Sequence, residues 1–92
     1  MSLRITVDGV GQPFGPKNGV RYTLEELQAA VGGCIEVLRL NSGELMVLNE
    51  FGKQHHLKVN QEATRLARVL DAIAPWDYIV GDVLVIGSRQ MD

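Results

Sequence analysis

A chain of 92 residues, 46% hydrophobic and 22% charged, has the length of one small domain (1–92), not two. A fold of this size hides only roughly 60–65% of its unfolded surface, so pairing with a second copy is an ordinary remedy and a homo-oligomer is expected. With 9 basic and 11 acidic side chains, one cysteine and a net charge of −2, the chain is neither a general nucleic-acid binder nor a DNA mimic, and it has no intrachain disulfide framework.

Arg4-Ile5-Thr6-Val7 alternates polar and apolar before Asp8-Gly9 and reads as a short strand. Asp8 to Gly19 is rich in glycine, with Pro13 and Pro16, and reads as an irregular, flexible connection. Its glycines fit neither a dinucleotide fingerprint nor a P-loop, because Gly15 falls one residue late and no Lys-Ser/Thr ending follows. Thr23-Leu24-Glu25-Glu26 is a capping box, and it opens a helix with Leu24, Leu27 and Val31 on one face. Gly32 is placed to end that helix in a left-handed turn. Cys34–Leu40 and Glu44–Asn49, joined through Asn41-Ser42-Gly43, form a β-hairpin. Gln54–Val59 reads as another extended piece. Asn60 caps a second helix running to about Ala72, with Ala63, Leu66, Ala67, Leu70 and Ile73 as its buried stripe. Val83-Leu84-Val85-Ile86 is apolar without alternation, so this strand is covered on both sides and central.

These elements predict an α+β fold, a small antiparallel sheet made of the hairpin and the central C-terminal strand, with two helices packed mainly on one face. No apolar run reaches the roughly 18–20 residues of a membrane span, and nothing at the N-terminus reads as a signal peptide. A cytoplasmic protein with no membrane partner is expected.

Reactive chemistry is sparse. His55 and His56 are adjacent, and neighbours on an extended chain point to opposite faces, so a shared metal is not expected. Cys34 follows Gly32-Gly33 without a nearby base, and the Glu25/Glu26 pair is explained by helix capping. No set of nucleophile, base and oxyanion donor assembles, so no enzyme and no cofactor are expected. Binding is the stronger expectation. Lys53, His55, His56, Lys58, Arg65 and Arg68 form a basic stretch leading into the helix that starts at Asn60. Free amides and the positive dipole end favour an anion there. The expected ligand-binding residues are Lys53, His55, Asn60 and Arg65, with Arg21 and Tyr22 as a possible aromatic platform. Trp76 and Tyr78 are the other aromatics near loops, and Trp76 could equally plug the end of the core. The plainer reading of the same stretch is a solvated basic face balanced by Glu62 and Asp71.

Leu24-Glu25-Glu26-Leu27-Gln28 with Val31-Gly32-Gly33 and Ile35-Glu36-Val37, then Asn49-Glu50-x-Gly52-Lys53, Asn60 and Ile79–Gly87, resembles an uncharacterised small-domain family of bacteria, plasmids and phages. The likeness runs from about Tyr22 to Gly87 and leaves Asp8–Gly19 outside. It implies an accessory protein of a phage or mobile element in a bacterial cytoplasm, and it carries no activity to transfer. Two functions follow as expectations: a non-enzymatic module that sequesters a small anionic ligand of the nucleotide immune-signal kind, or a protein–protein inhibitor or adaptor acting on a host protein.

Overall fold

The computed structural model describes residues 2–91. In chain order its elements are β1 (Ser2–Ile5), β2 (Gly11–Phe14), α1 (Leu24–Val31), β3 (Ile35–Arg39), β4 (Leu45–Asn49), α2 (Gln61–Val69) and β5 (Val83–Ile86). The strands form one sheet in the order β2-β1-β5-β4-β3, and every neighbouring pair is antiparallel. The run Val83–Ile86 is central and buried throughout, as its lack of alternation requires.

The helices do not share a face. Leu45 and Val47 of β4 and Leu84 and Ile86 of β5 pack under α1 with Leu27, Ala30 and Val31. Met46, Leu48, Val83 and Val85, on the opposite pleat, pack with Ala63 and Ala67 of α2. A strand apolar on both faces needs cover on both faces, so the doubly apolar β5 already excluded a one-sided arrangement.

Other differences are local. Within Asp8–Gly19, residues 11–14 form β2, because Asp8-Gly9 closes a tight turn (Gly9 φ 82°) that folds the chain back on β1. Leu24 is 52% exposed, and Ala30 takes its place on the buried face of α1. The capping box of Thr23 and Glu26 and the left-handed Gly32 form as read. Within Gln54–Val59, expected to be extended, residues 54–56 continue the turn that begins at Glu50, and only Val59 pairs, through an isolated bridge to Val80. Gly52 lies under Val80, where a Cβ would come within 2.7 Å of its side chain. The second helix stops at Val69, where Leu70 caps it and Asp71 turns left-handed (φ 54°); Leu70 and Ile73 still pack on the core.

Asn60 anchors this half of the molecule. It is fully buried, and its Oδ1 accepts from Ala63 N–H while its Nδ2 donates to the carbonyls of Ile5 (3.0 Å) and Gly81 (2.9 Å). Its own N–H donates to Ile79 C=O, and its carbonyl accepts from Thr64 Oγ1. Asn60→Ala removes a cap and leaves the Gly81 carbonyl without its partner, and should cost about 2–3 kcal/mol in urea denaturation. Asn60→Asp keeps the cap but faces the Ile5 and Gly81 carbonyls with a carboxylate, and should be at least as destabilised.

Candidate functional site

The residues expected to form one anion site are dispersed by the fold. Tyr22 is fully buried on the α1 side, its ring stacked on Phe14 (centroids 6.0 Å, 12° between planes) and its hydroxyl without a partner. Arg21 beside it is exposed, its backbone N–H bonded to Asn18 Oδ1. Asn60 spends its side chain on the hydrogen bonds already described, so none of its polar atoms is left for a ligand. His55 is exposed in the 51–56 turns. What comes together is Lys53, Arg65 and Arg68 around Asp77 and Tyr78.

Tyr78 is the joint of this cluster. Lys53 Nζ pairs with Asp77 and sits 4.2 Å from the centre of the Tyr78 ring, a cation–π contact. Arg68 reaches the same segment from α2, donating through Nε and one terminal nitrogen to the Asp77 carbonyl (3.1 and 2.8 Å). Tyr78 thereby separates two concavities. One, of about 450 Å³, lies against Leu38, Leu48 and Ile73 and holds Lys53 together with Glu36, Glu50 and Asp77. Its carboxylates outnumber its lysine, so it does not favour an anion. The other, of about 510 Å³, runs along α2 and is lined by Val59, Gln61, Thr64, Arg65, Arg68, Val69 and Tyr78. Its only formal charges are the two guanidinium groups.

Each cation has a nearby partner. Arg65 pairs with Glu62, one turn back on the exposed face of α2. That hydrogen bond holds the Glu62 carboxyl below its usual range, and the Lys53 contact, aided by Tyr78 N–H, does the same for Asp77. Glu26 is lowered in the same way by Lys17 N–H and Thr23. An exposed ion pair on a helix surface contributes little to stability, so Arg65 is cheaply released to a better anion.

Arg68 and Asp77 contribute as much as the predicted residues. Arg68 belonged to the basic stretch, Tyr78 read only as an aromatic near a loop, and Asp77 carried no expectation. Nothing in residue spacing shows that α2 and the 77–80 segment meet; that contact comes from Thr64 Oγ1, which accepts from Ile79 N–H at 2.9 Å. Among the described residues no group of three or more His, Cys, Asp or Glu side chains is placed to hold a metal, and no helix is long and apolar enough to cross a membrane.

A five-stranded antiparallel sheet with a helix on each face defines a small α+β domain. The chain belongs to DUF3846, a domain of unknown function, whose family model matches residues 8–92. The match takes in Asp8–Gly19, so the Gly/Pro-rich hairpin is part of the family's domain and not an appendage. No curated protein and no solved structure matches the chain.

The lowered carboxyls set an acid dependence. A group whose folded pKa is depressed contributes stability above its unfolded value and loses it as pH falls through the folded one. Urea midpoints should therefore drop on acidification below about pH 4, near the unfolded carboxyl range. Asp77→Asn should show a shallower drop over the same window.

Proposed function

We propose that this protein is a non-enzymatic accessory module that captures a small anionic ligand in the groove along α2, with Arg65 and Arg68 on the anion and Tyr78 against its apolar part. The observation that carries the reading is the pair of arginines three positions apart on one helix, lining a groove that holds no carboxylate. Arg68 is held in place by the Asp77 carbonyl, so little of its side-chain freedom remains to be lost on binding. Arginine suits the planar oxygens of a phosphate or carboxylate, and Tyr78 with Val59 and Val69 suits a ring. A nucleotide combines both chemistries. A phage or plasmid setting, which the sequence resemblance implies, would suit a protein that sequesters a host signal of this kind, and stoichiometric capture needs no catalytic group.

The test is thermal unfolding with a panel of linear and cyclic nucleotides, inorganic phosphate as control. A ligand at 100 times its dissociation constant adds about 2.7 kcal/mol, a rise on the order of 10 °C. Arg65→Ala/Arg68→Ala should abolish the rise while keeping the melting cooperative; absence of any rise across the panel ends this reading.

A second reading, an inhibitor or adaptor of a host protein, draws on Trp76, 82% exposed beside Tyr78, and on Val69, 65% exposed. Exposed tryptophan, tyrosine and arginine together are the composition of interface hot spots. Binding to a purified host protein that survives Arg65→Ala/Arg68→Ala and is lost in Trp76→Ala would favour it.

A further inference from the structure

The two edges of the sheet are built differently. In the β1–β2 hairpin, Thr6 N–H bonds Val10 C=O, which sets the alternation and turns the backbone groups of Gly11 and Pro13 outward. Pro13 has no N–H to offer at that outward position, so the β2 edge is blunted. In the β3–β4 hairpin, Leu40 N–H donates to Glu44 C=O (2.9 Å) and Glu50 N–H to Cys34 C=O (2.8 Å), one at each end. Between them Glu36 and Leu38 bond β4, and Ile35, Val37 and Arg39 direct their N–H and C=O groups away from the sheet. This edge has neither proline nor lysine, and its central residue, Val37, is 36% exposed.

We propose that the β3 edge is the interface between two copies of this chain, paired antiparallel about Val37 so that the two five-stranded sheets become one. The charges of the strand select the partner and the register. Centred on Val37, every residue of β3 finds one of the other β3: Val37 faces Val37, Ile35 the aliphatic stem of Arg39, and Glu36 faces Leu38. Neither charge sits directly opposite its like, and the two Glu36 carboxylates are only diagonal neighbours. Outward groups meet outward groups, three residue pairs exchanging two hydrogen bonds each. A two-residue slip one way sets Glu36 directly against Glu36, and like charges directly opposite are destabilising. The opposite slip sets Ile35 against Asn41 in the hairpin turn, so the two strands no longer pair over their whole length. A strand that pairs with itself over its whole length, with its charges off axis, fits a second copy. The inference does not depend on the α2 groove or its ligand.

Sedimentation or light scattering between 1 and 500 μM should give a mass twice that of the chain at the upper end. Val37→Pro removes an N–H that the protein's own sheet does not use, so the variant should keep its circular dichroism and lose the dimer. Val37→Lys, which sets two like charges at the axis, should weaken association at least tenfold. In a Cys34→Ser background, Val37→Cys should be joined between copies by a short thiol cross-linker and Leu38→Cys should not, because only position 37 lies opposite itself. A chain that stays monomeric at 500 μM, a folded Val37→Pro that still dimerises, or cross-linking equal at 37 and 38 would overturn the proposal.

Discussion

The buried amide of Asn60 is the constraint on which the rest of the architecture depends. Three segments end at it: the exit of β1 at Ile5, the first turn of α2, and the 79–81 stretch ahead of β5. The N–H of Ala63 and the carbonyl of Gly81 have no partner in a helix or strand ladder, and a buried backbone group without a partner is expensive. One side chain with an acceptor and two donors, on a residue whose own N–H and C=O are also used, satisfies them together. Thr64 extends the knot by one residue, donating to Asn60 C=O and accepting from Ile79 N–H.

That knot decides what the basic stretch can become. By drawing residues 79–81 against α2, it sets Asp77 and Tyr78 between Lys53 and Arg68. Lys53 is then held by a carboxylate and an aromatic face, and its cavity carries more negative than positive charge. Along α2 the opposite holds. The cations there have only an exposed neighbour and a carbonyl for company, and both contacts cost little to share. Proximity in sequence thus pointed to one anion site, and the tertiary pairing of charges moved its positive part to the α2 groove.

Where periodicity or a cap carried the information, the sequence was legible. The Thr23/Glu26 box, Gly32, the β3–β4 hairpin, Asn60 as a cap and the central position of Val83–Ile86 all depend on contacts within a few residues or on a plain burial pattern. Asp8–Gly19 misled because glycine and proline density signals a loop, although Asp8-Gly9 is also the turn of a hairpin, and an exposed edge strand needs no apolar alternation. Gln54–Val59 misled for a different reason. The turn from Glu50 continues through them, with the N–H groups of His55, His56 and Leu57 bonded back to Phe51, Lys53 and Gly52, while Gly52 packs against Val80, a contact between positions 28 apart that no local pattern records. Tyr22 shows the same limit for the site: an aromatic next to an arginine looks like a platform, and only the packing of α1 on the sheet reveals it as core.

The surface features of the molecule follow from a mismatch of lengths. Helices of eight and nine residues are about 12–14 Å long, and a five-stranded sheet is about 19 Å across. One such helix per face cannot roof the whole sheet. On one face α1 lies over β3, β4 and β5, and an open groove of about 710 Å³ remains between it and Phe14 of β2. On the other face the end near β3 is closed only by the 72–80 segment, which is why a cavity opens there and why Tyr78 stands at its wall. The concavities and the bare β3 edge therefore have one cause, a sheet broader than its cover. In a chain of this size, joining two such edges adds burial that neither helix is long enough to supply.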